Sequence, residues 1–145
     1  MKQHPEHLEV RIEVTRGGWI KRRPDHSIDF ISPLPSPFNY GSALGREAAD
    51  GDPEDALVLG GALDVGDVVQ TVVWGRVNFI DAGVEDHKWL CGAVPPSDRD
   101  WAKVERFFQR YVWAKRILYL FRRVPGEVRF LGVDRFAVDD ATSRY

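Results

Sequence analysis

Four stretches of the chain carry the hydrophobic patterning of β-strands. Residues 8–14 alternate between apolar and polar side chains, which predicts a half-exposed strand. Residues 56–59 form a short apolar run typical of a buried strand. Residues 68–80 are rich in β-branched and aromatic side chains, as are residues 128–138, and the former predict one long strand or a bent pair. Two adjacent glycines at 17–18 predict a turn before a further strand that begins near residue 19.

One stretch has the period of an amphipathic helix. It begins near Ser97, which with Asp100 three residues later resembles a capping box, and Pro125 followed by glycine ends it. The positions at i, i+3, i+7, i+10 and i+14 form one stripe: Trp101, Val104, Phe108, Tyr111 and Lys115. We expect this stripe to face the core or a neighbouring subunit. Further apolar surface for a subunit contact comes from Trp113, Tyr119 and Phe121.

The order of these elements predicts the fold class. Strands followed by one long helix and a last strand segment favour a small antiparallel β-barrel covered by the helix. Three prolines within residues 32–38 exclude that segment from a sheet, because proline lacks an N–H donor and fixes φ. A stiff loop there would deliver residues 39–41 to a fixed place. A length of 145 residues suits a single domain, residues 1–145.

Overall charge and composition argue against several classes of function. The formal net charge of −2 provides no positive field for nucleic acid or an anionic membrane. The one cysteine, Cys91, excludes an intramolecular disulfide and a cysteine-rich zinc site, and its apolar neighbours favour a core position over a nucleophile. The chain shows no signal-like segment and no run of ~20 apolar residues that would span a bilayer. We therefore expect a cytoplasmic protein with neither nucleic acid nor membrane as partner.

Two acidic clusters follow strand-like segments. Asp50, Asp52 and Asp55 lie within six residues, and Asp81 and Asp86 follow the long strand. Like charges repel at such spacing, whereas a divalent cation makes their proximity favourable. Hard carboxylate oxygens without nearby histidine or cysteine ligands indicate Mg²⁺, Mn²⁺ or Ca²⁺. Aspartates that cap a turn are the structural alternative. The ligand positions of an EF-hand and the lysine of a Walker A loop are both absent.

The motifs of the chain resemble those of the soluble family I inorganic pyrophosphatases. Residues 50–55, Asp-Gly-Asp-Pro-Glu-Asp, resemble the family signature, and residues 39–41 resemble its Asn-Tyr-Gly. Residues 81–88 reproduce an Asp-x4-Asp-x-Lys element, residues 12–14 resemble the first strand with its glutamate, and residues 107–111 resemble the helix with its tyrosine. The resemblance covers about residues 8–115. It implies a short, divergent member with a five-stranded, OB-like closed barrel covered by one long helix and at most further short ones.

The resemblance also implies the roles of ten side chains. Asp52 would be the catalytic general base. Pyrophosphate or phosphate would contact Lys21, Tyr40, Lys88 and Tyr111. Mg²⁺, with Mn²⁺ as a possible substitute, would be held by Asp50, Asp55, Asp81, Asp86 and Glu13. The expected activity is hydrolysis of pyrophosphate to two phosphates by a metal-activated water, in a homo-oligomer for which a hexamer is favoured.

Three positions depart from the family pattern. Glu54 replaces an apolar residue, residues 27–30 lack an expected arginine, and Val112 replaces the lysine that follows the helix tyrosine. Cations that could compensate are Arg22, Arg23, Arg46, Arg110 and Lys115. The alternatives are therefore a hydrolase of another phosphoanhydride, such as a nucleotide, an OB-like binding module without catalysis, or a catalytically weak relative kept for assembly.

Overall fold

The structure is a computed structural model that describes residues 4–18, 20–22, 28–31, 34–48 and 51–136. Its elements, in chain order, are β1 (His7–Val14), β2 (Ile20–Arg22), β3 (Ile28–Ile31), β4 (Asn39–Glu47), β5 (Pro53–Val58), β6 (Val68–Asp81), β7 (Val84–Glu85), β8 (Lys88–Gly92), α1 (Asp98–Arg122) and β9 (Arg129–Arg135). Predicted site residue Asp50 lies outside the described part of the chain. Among the described residues, no helix combines the length and apolar character needed to cross a membrane.

Five strands close into a barrel. Their order is β1-β4-β5-β8-β6, and β6 pairs with β1 to complete the ring. Four of the five pairings are antiparallel, but β5 and β8 run parallel. The predicted antiparallel pairing holds at four of the five steps, because a closed ring with an odd number of strands cannot alternate direction at every step. One pair must be parallel, and here it is the one that flanks the acidic loops.

Alternation along the strands separates two hydrophobic clusters. One cluster draws on all five barrel strands and on no helix residue, so it fills the barrel interior: Leu8, Val10, Ile12, Ala43, Ala56, Val58, Val73, Trp89 and Cys91. The other lies on the outer face of the barrel, between the strands and α1, and includes Leu57, Phe79, Leu90, Trp101 and Phe108. Successive residues of β5 and β8 therefore belong to different clusters. The functional candidates lie on the outer face.

Strand β6 is one long, irregular strand and not a bent pair. One edge pairs with β1 and β9, and the other with β8 and β7. Its register shifts between Val73 and Gly75, which turns the strand from the barrel interior toward α1. A Cβ added at Gly75 would lie 2.7 Å from the Trp101 ring and 2.4 Å from the Asp134 carbonyl oxygen. Glycine at 75 thus lets β9 and α1 approach β6 together.

Helix α1 begins as predicted and ends slightly earlier. Ser97 and Asp100 form a reciprocal capping box, with the Asp100 N–H donating to Ser97 Oγ at 3.1 Å. The helix ends at Arg122, and Arg123 closes it in a left-handed conformation (φ 54°) before Pro125. All five residues of the predicted stripe are buried, so the stripe faces the protein interior.

Candidate active site

One cavity of about 900 Å³ lies on the outer face of the barrel, beneath the C-terminal half of α1. Every predicted site residue within the described chain lines it: Glu13, Lys21, Tyr40, Asp52, Asp55, Asp81, Asp86, Lys88 and Tyr111. These residues come from six strands, two turns and the helix. The loops that carry the two acidic clusters therefore meet, as the sequence predicted, and their aspartates do not point into separate patches of solvent.

Strand register explains this convergence. Asp55 stands opposite Ser42 of β4 on one side and opposite Lys88 of β8 on the other. Residues 55 and 88 share the outer face of the barrel with Leu57 and Leu90, two positions further along each strand. The parallel pairing of β5 and β8 thus sets an aspartate and a lysine side by side where the pairing of the two strands begins.

Lys88 is the buried cation at the centre of the site. Its side chain is 4% exposed, and Nζ lies 2.9 Å from Asp86 Oδ2 and 3.3 Å from Asp55 Oδ2. Burial works to lower the pKa of the Lys88 ammonium, but the two carboxylates outweigh it and raise that pKa. Burial also raises the pKa of Asp55. The Lys88 charge and a hydrogen bond with Asp55 overcome burial at Asp86 and lower the pKa of that carboxyl.

The turn before β8 holds Asp86 in place. The Asp86 N–H donates to the Phe79 carbonyl at 2.9 Å, and the Phe79 N–H donates to His87 Nδ1 at 3.0 Å. His87 is half-buried. Burial lowers its pKa, which favours the neutral ring that can accept this bond. The pair of bonds fixes Asp86 against Phe79 near the end of β6.

Glu13 lies on the opposite wall of the cavity. Ser42 Oγ donates to Glu13 Oε1 at 2.9 Å, Arg11 Nη2 lies 3.3 Å from Oε2, and Lys21 Nζ lies 3.5 Å from Oε1. Lys21 Nζ also reaches to 4.0 Å from Asp55 Oδ1, so one lysine links the two walls. Arg11 and Ser42 were not predicted as site residues. Period-two spacing along β1 nevertheless places Arg11 on the same strand face as Glu13, where the two can pair.

Tyr40 stands between two lysines. Lys21 Nζ and Lys88 Nζ lie 5.6 and 5.7 Å from the centre of its ring. Burial, followed by the Asp55 charge, raises the pKa of the Tyr40 phenol well above its usual value. The phenol therefore stays protonated across the physiological range and keeps a hydrogen to donate. The residues on either side of Tyr40 in the motif, Asn39 and Gly41, stabilise the fold instead.

Asn39, fully buried, ties together three segments around this wall. Its Oδ1 accepts from the Leu63 N–H at 2.8 Å and from the Arg16 N–H at 3.1 Å. Its Nδ2 donates to the carbonyls of Gly61 at 2.9 Å and Val58 at 3.2 Å. These four bonds use all four of the hydrogen-bonding positions of the amide. Asn39 thereby fixes the start of β4, from which Tyr40 projects.

Helix α1 contributes three polar groups along one face, at positions 111, 115 and 119. Lys115 Nζ lies 2.5 Å from Asp81 Oδ2, and the Tyr119 hydroxyl donates to Asp81 Oδ1 at 2.8 Å. Tyr119 was expected to offer surface for a subunit contact, and in the structure it is half-buried and lines the cavity. The spacing of four residues from Lys115, itself four residues after Tyr111, would have indicated it.

Tyr111 is both a core residue and a cavity residue. It is 9% exposed and packs among aromatic rings, with ring centres 5.7 Å from Phe79, 5.6 Å from Phe107 and 5.9 Å from Phe108. Burial raises the pKa of its phenol, although Lys88 opposes the shift. Like Tyr40, Tyr111 keeps its hydroxyl hydrogen.

Comparison with known proteins agrees with this geometry. A family profile described as inorganic pyrophosphatase matches residues 9–123. The chain belongs to the inorganic pyrophosphatase family. The structure of the inorganic pyrophosphatase from Thermus thermophilus matches with a TM-score of 0.73 and 26% identity, covering 93% of this chain and 86% of that one. The family resemblance and the five-stranded closed barrel are thus confirmed.

Two curated inorganic pyrophosphatases also resemble the chain. The protein from Gluconobacter oxydans is 35% identical over 98 residues, which cover 62% of this chain and 57% of that protein. The protein from Saccharolobus solfataricus is 35% identical over 107 residues, which cover 68% of this chain and 61% of that protein. This pyrophosphatase-family chain therefore spans about three fifths of the length of these curated relatives.

The departure from the family pattern at Glu54 lies away from the cavity. Residue 54 follows the interior face of the barrel, where its carboxylate pairs with Arg46 Nε and accepts from Trp89 Nε1 at 3.1 Å. The Arg46 guanidinium also lies 5.7 Å from the centre of the Trp89 ring. Glu54 and Arg46 thus form a self-contained pair, and neither lines the cavity.

The candidate compensating cations that the structure describes differ in whether they line the cavity. Arg46 is held by Glu54, and Arg110 is exposed on α1 outside the cavity. Arg23 and the side chain of Arg22 fall outside the described part of the chain. Lys115 lines the cavity.

The oxygen ligands fit a hard divalent cation by their chemistry. Carboxylates surround the cavity, and the half-buried Asp55 and Asp86 lie on either side of Lys88, so a divalent ion would relieve their repulsion. Within the described ranges, no three His, Cys, Asp or Glu side chains are already gathered at one point. Instead, lysines pair with the carboxylates: Lys88 pairs with Asp55 and Asp86, and Lys115 pairs with Asp81.

Proposed function

We propose that this chain hydrolyses inorganic pyrophosphate to two phosphates with the help of divalent cations. The observation that carries the proposal is the meeting of Asp52, Asp55, Asp81 and Asp86, from two distant loops, in one cavity that also holds buried lysines and tyrosines. Carboxylates alone would repel pyrophosphate, and lysines alone would only bind it. Both kinds of group in one cavity suit a site that takes metal ions together with a polyanion.

The proposed metal ligands are Asp55, Asp81, Asp86 and Glu13, with Asp50 as the fifth from the sequence pattern. Mg²⁺ is the proposed metal and Mn²⁺ a substitute, because the ligands are hard oxygens. Bound divalent ions would supply Lewis-acid activation of water and would screen the charge between carboxylates and phosphates. The lysine partners described above would then be released from the aspartates toward the substrate.

The protein groups would divide the remaining work. Lys21 and Lys88, on either side of Tyr40, would bind phosphate oxygens, and the protonated hydroxyls of Tyr40 and Tyr111 would donate to them. Asp52 would accept the proton of the attacking water. It is exposed at the cavity rim, in the turn where the Ala48 N–H donates to the Asp52 carbonyl at 2.7 Å. Solvent can therefore reach its carboxylate, which suits a general base.

The test is phosphate release from pyrophosphate by the purified protein with Mg²⁺ and with EDTA. Asp52→Asn removes the base without changing the size of the side chain, and we expect kcat to fall by roughly 10²–10⁴ with KM little changed. Asp64→Asn is the matched control, because Asp64 is exposed and does not line the cavity. Wild-type turnover in Asp52→Asn, or full activity in EDTA, would contradict the mechanism.

A second candidate is hydrolysis of another phosphoanhydride, such as that of a nucleotide. The size of the cavity, about 900 Å³, favours it, because sites for larger organic ligands span roughly 300–1,000 Å³. Parallel assays with pyrophosphate and ATP decide between the two. A higher kcat/KM for ATP would transfer the proposed activity to nucleotides and keep the roles of the carboxylates.

The homo-oligomer and the cytoplasmic location stay predictions. Leu120 and Phe121 of α1 are 78% and 83% exposed, which provides apolar surface for a subunit contact. Light scattering on the eluting protein would give the mass of the assembly. A mass equal to that of one chain at micromolar concentration would contradict the predicted hexamer.

A further inference from the structure

Lys115 occupies a position in the cavity that the family pattern did not predict. Its side chain is 5% exposed, and its Nζ lies 2.5 Å from Asp81 Oδ2. It also lies 5.3 and 5.4 Å from the ring centres of Tyr111 and Tyr119. A lysine is rarely buried this deeply without a carboxylate partner, because burial removes hydration from the ammonium group that a surface position would keep. The helix therefore directs a full positive charge into the cavity.

The same helix lacks the cation that the family pattern places directly after its tyrosine. Val112 stands at that position, is 6% exposed and belongs to the apolar cluster between α1 and the barrel. A residue one step after Tyr111 is turned by about 100° around the helix, whereas the residue four steps later returns to the same face. Lys115 is that residue. The positive charge is thus present in this chain, one helical turn further along.

We propose that Lys115 is a phosphate-binding residue of this site, an inference that rests on the proposed function. Asp81 holds the ammonium near the helix tyrosines, and Asp81 is also a proposed metal ligand. When a divalent ion takes the carboxylate, the partner of the ammonium becomes a phosphate oxygen at the same wall. Asp81 therefore holds the Lys115 ammonium in position in the absence of ligands. When metal and substrate bind together, the ammonium pairs with a phosphate oxygen instead.

The test measures binding of imidodiphosphate, a non-hydrolysable analogue of pyrophosphate, by calorimetry in excess Mg²⁺. Lys115→Met removes the charge and keeps the aliphatic chain, and we expect at least tenfold weaker binding, about 1.4 kcal/mol. Lys115→Arg keeps the charge and should bind within threefold of wild type. Lys103→Met is the matched control, because Lys103 lies on the same helix beside Phe38 and does not line the cavity.

A purely structural role of Lys115 is separated by two further measurements. Tyr119→Phe removes the other partner of Asp81 without removing a charge, so it should weaken binding much less than Lys115→Met if charge is what matters. In the unmodified protein, the ¹⁵N signal of the Lys115 ammonium should shift on addition of Mg²⁺ and imidodiphosphate, with Lys115→Arg serving to assign it. An unshifted signal overturns the proposal even if Lys115→Met fails to fold.

The outcomes separate this inference from the proposed function. Pyrophosphate hydrolysis by the wild type with unchanged binding in Lys115→Met overturns only the role of Lys115. Absence of hydrolysis together with binding that depends on Lys115 overturns only the proposed function. A wild-type protein that does not bind the analogue at all overturns both.

Discussion

Lys88→Met tests how the buried charges of the site are balanced. Lys88 is 4% exposed and is shared by Asp55 and Asp86. Methionine fills nearly the same volume, so the substitution removes a charge and leaves the packing. Two carboxylates then face each other without a cation between them. The destabilisation should therefore be electrostatic and should depend on pH and on divalent ions.

The magnitude follows from burial. Breaking a buried ion pair costs about 3–5 kcal/mol when one partner is left behind. Asp86 is 28% exposed and can recover some hydration, so we expect about 3 kcal/mol at pH 8 in EDTA. Lys88 itself does not titrate in this range, because its pKa is raised. Without it, the pKa of the carboxyl pair rises, and the native state holds a proton that the unfolded state has lost.

This proton fixes the sign of the pH dependence. Where the native state binds one more proton than the unfolded state, stability falls by about 1.4 kcal/mol for each unit of increasing pH. The cost of Lys88→Met should therefore be larger at pH 8 than at pH 5.5. Urea unfolding of wild type, Lys88→Met and the control Lys103→Met at both pH values measures it. Added Mg²⁺ should stabilise Lys88→Met more than wild type. Equal costs at the two pH values, with or without Mg²⁺, would refute the assignment of Lys88 as the counter-charge.

Two further predictions concern the barrel. Asn39→Ala removes four hydrogen bonds and should lower the free energy of unfolding, measured in urea, by about 2–4 kcal/mol. The reason is that each bond is worth about 1 kcal/mol, or less where water can replace it. A loss below about 0.5 kcal/mol would contradict the role of Asn39. Burial raises the pKa of the Cys91 thiol to about 12, so we expect alkylation of the folded protein at pH 8 to be much slower than in 6 M urea, as followed by mass spectrometry. Equally fast alkylation in both conditions would show that Cys91 is accessible.

The sequence predicted those strands in which one face is clearly polar or a β-branched run is long, and also the short apolar run at residues 56–59. The sequence did not predict β8, because all five residues of this strand are buried and apolar and polar side chains do not alternate along it. Nor did it predict β4, whose glycine at 41 breaks the strand pattern. That glycine is required by tertiary structure: a Cβ there would lie 2.2 Å from the Arg11 carbonyl oxygen of β1. Contacts between distant strands cannot be read from either segment alone.

The site was predictable as a set of residues and not as a set of pairs. Ordered motifs identified which side chains would converge, and the cavity contains those that the structure describes. Partners depend on which residues share a helix face or a strand register. Lys115 was one of five candidate cations in the sequence, and only the placement of α1 against Asp81 distinguished it. Tyr119 was assigned to a surface although it lies four residues after Lys115, on the same face of the helix.

Strand alternation gives this small protein two independent sets of positions to vary. On β5, Asp55 faces the cavity, while Glu54 and Ala56 follow the barrel interior. An engineer seeking heat tolerance can repack the interior positions without touching the chemistry, and one seeking a new substrate can alter the outward positions without hollowing the barrel. A single inserted residue would exchange the two sets at once, so this strand should accept substitutions readily and length changes hardly at all.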